Sequence, residues 1–305
     1  MYLGKLTVLQ FILIFAVKLC LSENNELDDI WVPECDVSID VIKLFADKLG
    51  SVEQLVKGIF AGNDSLQAKT SLKMYERLPT NCMEAAVDTF KSGIYEIQFE
   101  RFSETPFSVW CDEETDFGGW IVIQRRVNSD ESFYRPWLTY QKGFGNLSAN
   151  YWIGLEKLHA LTSSCEQELY IKMETFDNKS YYAKYGAFVV GSENEGYVLR
   201  KVGKYSGDAG DYLQHHEGSK FSTYDRDNDE GDENCAIKFA GGWWYHNCYW
   251  TNLNGDYAQK FTVKGVTWNG IGKRKSLKFV QMMIRPTEKC MLRLSMKNSF
   301  VQRKK

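Results

Sequence analysis

The chain has 305 residues, of which 44% are hydrophobic and 25% charged, a globular composition for one large domain or two ordinary ones. Its 37 Lys and Arg against 40 Asp and Glu leave a net charge of −3, so no global field favours nucleic acid. Aromatics reach 14%, with 9 Trp, 17 Tyr and 18 Phe, which suits short strands and aromatic-lined surfaces better than a helical bundle.

Lys5 precedes an apolar run from Phe11 to Val17, and small Ser22 offers a cleavage point, so residues 1–22 read as a signal peptide. The run is bracketed by Gln10 and Lys18 and is far shorter than the ~20 residues of a membrane span. No later stretch could cross a bilayer, so a secreted, extracellular protein is expected. Removing residues 1–22 takes Cys20 from the 8 cysteines and leaves Cys35, Cys82, Cys111, Cys165, Cys235, Cys248 and Cys290. In an oxidising compartment these should pair, and their number is odd. There is no CxxC and no Cys/His cluster with zinc spacing. Asn63, Asn146 and Asn178 each open a glycosylation triplet, which agrees with export.

Residues 35–66 show heptad spacing, with Ile42, Leu49 and Val56 at one core position and Phe45, Val52 and Ile59 at the other. Cys35 falls in the same register. One reading is a short coiled-coil stalk that oligomerises the protein and is locked by an interchain Cys35 bridge. The other is an amphipathic helix packed on its own domain; Gly50 and Gly58 each weaken a helix here by roughly 1 kcal/mol. Pro79 and the polar stretch before it mark a boundary.

Beyond Cys82 short apolar runs alternate with turn signals: Gly93–Ile97, Phe107–Trp110, Trp120–Ile123, Leu169–Met173, Tyr197–Leu199 and Phe279–Ile284. Leu169, Ile171 and Met173 alternate cleanly on one strand face, whereas residues 155–161 look helical. The expected class is α+β with mostly antiparallel pairing. Residues 203–275, rich in Gly, Asp, Asn and aromatics, should be loop-dominated, and binding sites favour such loops. The tail 291–305 carries Arg293, Lys297, Arg303, Lys304 and Lys305 without an acid. It reads as a frayed, solubilising end, or as a weak attractor of anionic polysaccharide.

Six carboxylates crowd the stretch 225–233, with Arg226 the single cation among them. Alternating Asp225, Asp227 and Asp229 could present oxygens to one hard cation, with Gly231 allowing the turn. An EF-hand is excluded, since Glu230 and Ala236 stand where Gly and Glu are required. The competing reading is a solvated acidic loop. Close by, Gly241-Gly-Trp-Trp-Tyr-His-Asn-Cys248 follows Cys235. A bridge between the two cysteines would tether the acidic loop to the aromatic stretch, worth about 3 kcal/mol for a loop of that length. Such a pairing makes a pocket with apolar walls and a polar rim; against it, Trp-Trp usually means core. Enzyme templates fail: no GxSxG, HExxH, P-loop or strand-borne GxGxxG occurs. His215 and His216 read as a polar loop pair rather than a metal site.

Long, ordered motifs then carry a resemblance. Residues 107–126, Gly143–Leu147, Tyr151–Leu155, Tyr205–Asp211, Lys220–Asp229, Asn234-Cys235, Leu253-Asn-Gly255 and Ile284-Arg-Pro286 resemble the fibrinogen C-terminal domain over about 82–287. Ficolins, tachylectin-like lectins, angiopoietins and fibrinogen itself share this module, often behind an oligomerising segment. The resemblance implies a fibrinogen-like globular domain with a loop-rich calcium and ligand region. It implies a Ca²⁺ site built from Asp227 and Asp229 with the carbonyls of Gly231 and Glu233. The family's two bridges map onto Cys82–Cys111 and Cys235–Cys248, which leaves Cys165 with Cys290 and Cys35 for another copy. The acetyl-binding members have a cis peptide where Asn247–Cys248 stands, turning N–H groups toward the ligand. Their pocket positions fall on Phe239, Asn247, Cys248, Tyr249, Thr262 and Val263. Phe239 replaces a Tyr, Tyr249 a His, and Thr262 an aromatic.

The resulting expectation is a secreted, Ca²⁺-binding, lectin-like recognition protein of innate immunity. Its ligands would be acetylated sugars or similar groups on microbial surfaces, bound by a homo-oligomer through avidity. The alternative is an angiopoietin-type signalling or matrix ligand that binds a receptor through protein contacts. Drift among the pocket residues leans toward the alternative.

Overall fold

The computed structural model describes residues 78–98, 105–258, 262–272 and 274–291. The expected leader 1–22, the heptad segment 35–66 with Cys35, Asn63, and the tail beyond Met291 lie outside them.

Strands form where apolar residues recur at every second position, because a pleated backbone then turns one row of side chains inward. β6 (Gln167–Thr175) is the clearest case, burying Leu169, Ile171 and Met173 completely. β1 (Gly93–Ile97), β2 (Phe107–Asp112) and β3 (Trp120–Arg126) arise from the other apolar runs, as does the C-terminal β12 (Leu277–Pro286). β3 outruns its apolar part: Gln124, Arg125 and Arg126 are buried too, because each finds partners inside. β7 (Ser180–Val190) is an eleven-residue strand that no apolar run announces. β8 (Leu199–Val202) starts where the expected 197–199 run ends, since Gly196 and Tyr197 take positive φ and turn the backbone first.

These strands order as β1-β2-β3-β12-β6-β7-β8, and every neighbouring pair is antiparallel. The last of the described strands thus lies at the sheet's centre, between β3 and β6. Short β4 (Phe144–Gly145) and β5 (Tyr151–Trp152) extend from β3, and β9 (Tyr205–Gly207) pairs with β7. Helix α1 (Cys82–Ala85) is capped by Asn81, whose side chain accepts from the Glu84 N–H. α2 (Trp137–Lys142) and α3 (Leu155–Ser164) follow, the latter burying Leu155, Leu158 and Leu161 along one stripe.

The described residues of 203–275 contain little regular structure beyond β9, a 3-10 turn (Gln214–His216), α4 (Cys235–Phe239), and the two-residue pair β10 (Thr251–Asn252) and β11 (Thr267–Trp268). They are nevertheless packed. Trp244 meets Trp152, Phe188 and Phe221 in one aromatic cluster that joins this region to the sheet. Gln124 donates to the Leu253 carbonyl and to Asn254, and Arg126 donates to the Leu253 and Gly255 carbonyls. The Leu253-Asn-Gly255 motif is where β3 grips the loop region. Gly255 is required there, because a Cβ would meet the Gly265 carbonyl oxygen at 2.2 Å.

Candidate functional site

The acidic stretch divides its aspartates between two tasks. Asp225 faces away from the other two, accepting the Trp137 N–H at 2.9 Å and the Thr223 hydroxyl at 2.7 Å. It holds the first turn of α2, so the even alternation of Asp225, Asp227 and Asp229 does not become one ligand set. Asp227 and Asp229 stay together. Asp227 accepts the Asp229 N–H at 3.2 Å, and Asp229 accepts the N–H groups of Gly231 at 2.8 Å and Cys235 at 2.9 Å. Burial and the neighbouring Asp227 push the Asp229 carboxyl up, against those two N–H bonds that pull it down.

The local cations are engaged elsewhere. Arg226 lies 3.9 Å over the Trp137 ring and 3.6 Å from Glu193, while Lys238 pairs with Glu233 at 2.9 Å. The Glu233 carbonyl oxygen and Asp229 Oδ1 converge beside Gly231, within 3.1 and 3.0 Å of the point where its Cβ would sit. Two adjacent carboxylates with no cation between them, with the Glu233 carbonyl oxygen beside Asp229, fit a hard, oxygen-seeking ion. Among the described residues no group of three His, Cys, Asp or Glu side chains is arranged for a metal, so main-chain oxygens have to complete any such site.

The acidic loop is coupled to the aromatic stretch at three points. The bridge Cys235–Cys248 joins them, the Glu230 N–H donates to the His246 carbonyl at 3.0 Å, and the Glu230 carboxylate lies 3.5 Å from His246 Nδ1. Bridges Cys82–Cys111 and Cys165–Cys290 tie the start and end of the domain. The Asn247–Cys248 peptide is cis.

His216 organises the segment that follows. It has no exposed surface, so the reading of His215 and His216 as a polar loop pair holds only for His215. His216 Nδ1 is 2.7 Å from the Trp244 carbonyl, which makes it the protonated nitrogen; Nε2 then accepts the backbone N–H groups of Trp250 at 3.2 Å and Thr251 at 3.0 Å. Burial holds this imidazole down to about 4, so it is neutral at physiological pH. Trp243 and Trp244, also without exposed surface, belong to the core.

Between His216 and the cis peptide opens a cavity of about 510 Å³, within the usual range for a ligand site. Asn247, Cys248 and Tyr249 line it, together with His215, His216, Glu217, His246 and Trp250. Phe239, Thr262 and Val263 are not part of its lining. Phe239 instead packs edge-on against Tyr249, with ring centroids 4.7 Å apart, and the Tyr249 hydroxyl donates to the Val263 carbonyl. Tyr249 is thereby fixed between Phe239 and Val263 on one side and the cavity on the other. The histidines, Glu217 and Trp250 could be found from sequence only by knowing that residues 215–217 fold against 246–250. Of the glycosylation triplets, Asn146 and Asn178 are exposed.

Comparison with known proteins gives one consistent result. The family model for the C-terminal globular domain of fibrinogen beta and gamma chains matches residues 78–287. Fibrinogen C domain-containing protein 1 of Macaca fascicularis is 45% identical over 203 residues, covering 64% of this chain and 47% of that protein. The match thus spans about half the length of that relative. The fibrinogen-like globe domain of human ANGPTL2 superposes with a TM-score of 0.66 at 40% identity, covering 68% of this chain and 99% of that one. A lamprey fibrin D-dimer, complexed with the peptide Gly-His-Arg-Pro-amide, gives 0.64 at 27% identity over 93% of this chain and 92% of that one.

Proposed function

The protein belongs to the family defined by the C-terminal globular domain of fibrinogen beta and gamma chains, and from that premise we propose that it is a secreted, calcium-dependent, lectin-type recognition protein for acetylated sugars. The family is in general non-enzymatic, and its fold and three disulfides point to the extracellular space. One observation carries the sugar reading: the cavity of about 510 Å³ joins aromatic walls to polar groups. His246, Asn247 and Glu217 offer hydrogen-bond partners to ring hydroxyls, while Tyr249 offers apolar surface.

In this reading Asp227, Asp229 and the Gly231 and Glu233 carbonyls hold Ca²⁺. The ion would offset the paired carboxylates and stiffen the loop. The loop's own contacts, Glu230 on His246 and Cys235 on Cys248, pass that stiffness to the cavity wall. The test is retention of the mature protein on an N-acetylglucosamine resin, with calcium and then with chelator. Calcium-dependent retention that Asp227→Ala removes is expected. A folded, calcium-loaded protein that runs straight through would sink the reading.

The second reading, a receptor or matrix ligand acting through protein contacts, has its own support in the ANGPTL2 likeness and in the peptide carried by the lamprey fibrin. Failure on the resin moves the weight there. In either reading residues 35–66 would assemble copies of the protein, with Cys35 bridging them. Non-reducing gels should show an oligomer that Cys35→Ser abolishes, and a monomer in both lanes would end that proposal.

A further inference from the structure

Six of the described tryptophans are buried: Trp120, Trp137, Trp152, Trp243, Trp244 and Trp268. Trp250 is 46% exposed, so part of its large apolar surface is open to water. It is not loosely held. Its backbone N–H donates to His216 Nε2, and its carbonyl accepts from Asn269 at 3.2 Å. The His215 ring stacks on the indole at 4.4 Å between centroids and 19° between planes. Tyr212 lies nearly parallel to it at 6.1 Å and meets buried Trp268 edge-on. A backbone pinned by a core histidine thus presents a flat aromatic surface at the rim of the cavity.

The surroundings decide what that surface suits. Around Trp250 the exposed neighbours on the cavity are His215, Glu217, His246 and Asn247, all polar. A flat apolar face ringed by hydrogen-bonding groups matches a pyranose, which has an apolar C–H face and a hydroxyl rim.

We propose that Trp250, stacked on His215 and backed by Tyr212, is a platform for a second sugar ring. The site then takes an oligosaccharide, with an acetylated ring in the cavity and the apolar face of its neighbour on the indole. This inference rests on the sugar-binding reading above and adds the size of the ligand and a residue that selects it.

The experiment is calorimetric titration of the full-length protein with N-acetylglucosamine and with N-acetyllactosamine, whose second ring carries no acetyl group. Wild type should bind the disaccharide about ten-fold tighter, the gain of one good stacking contact. Trp250→Ala should bind both sugars equally, and Trp250→Phe should keep part of the preference. A preference that survives Trp250→Ala, or no preference in wild type, overturns the platform. Loss of monosaccharide binding in a Trp250→Ala protein with unchanged melting also overturns it, by placing Trp250 in the primary pocket. Binding of neither sugar by wild type removes the sugar reading, and the platform with it.

Discussion

The sheet and the described part of the loop region 203–275 both bury large side chains, yet they satisfy their backbones by different means. In the interior of the sheet each strand's N–H and C=O groups meet its neighbours, so most inner-row side chains need only be apolar; Gln124 and Arg126 of β3, which grip the loop region, are exceptions. Ile171 illustrates this: it sits opposite Met282 on one side and Ala183 on the other, with no polar duty. In the loop region the ladder β10–β11 is two residues long, and beside turn and bridge bonds of the backbone, side chains take over several of the carbonyls and N–H groups. His216 serves Trp244, Trp250 and Thr251; Asn254 donates to the Gly242 carbonyl; Asn228 donates to that of Phe221; and Trp268 donates to that of Ala209. Burying these groups unpaired would cost about 1–3 kcal/mol each, which is why so many polar side chains sit inside. A sheet of this kind tolerates any apolar residue of the right volume. The loop region tolerates little besides the donor it has.

The largest expected effect lies in the sheet. Ile171→Ala removes most of a fully buried side chain and should cost about 2–5 kcal/mol. Urea unfolding should show a lower midpoint with an unchanged slope, because the whole domain loses stability together. A changed slope, or loss confined to the loop region, would contradict the picture of the sheet as the common core.

The same division explains which parts can be read from the sequence. β6 is legible because its period is unbroken from Leu169 to Met173. β7 is not, because its buried positions are Ala183, Tyr185, Ala187, Phe188 and Val190: mostly small or hydroxylated residues, with the alternation broken at Ala187 and Phe188. The acidic stretch is conspicuous in composition, but composition does not say which aspartate does what. Asp225 is assigned by its distance to Trp137, a residue 88 positions away. The cavity is the extreme case. Asn247, Cys248 and Tyr249 are reachable through family resemblance, whereas Glu217 and Trp250 matter only because the backbone returns there. His215 and His216, adjacent and identical in type, end on opposite sides of the surface. Nothing local distinguishes them.

His216 also puts the contrast between the two regions to its sharpest test, through pH. Its imidazole titrates near 4 in the folded protein because burial disfavours the cation, against 6.5 when unfolded. The unfolded state therefore binds the extra proton first, and stability falls as pH drops from about 6.5 to about 4, levelling off below. That window is worth up to about 3 kcal/mol for this one group. Protonation would also turn Nε2 into a donor facing the N–H groups of Trp250 and Thr251, so hydrogen-exchange protection should fail there before it fails in β6. His216→Gln cannot titrate and should lower stability at pH 7 while flattening the slope between 6.5 and 4. Carboxylates elsewhere act equally in both proteins and cancel in the difference. If wild type and variant lose stability in parallel across that window, His216 does not hold the loop region in its neutral form, and the contrast between side-chain and ladder satisfaction fails at its centre.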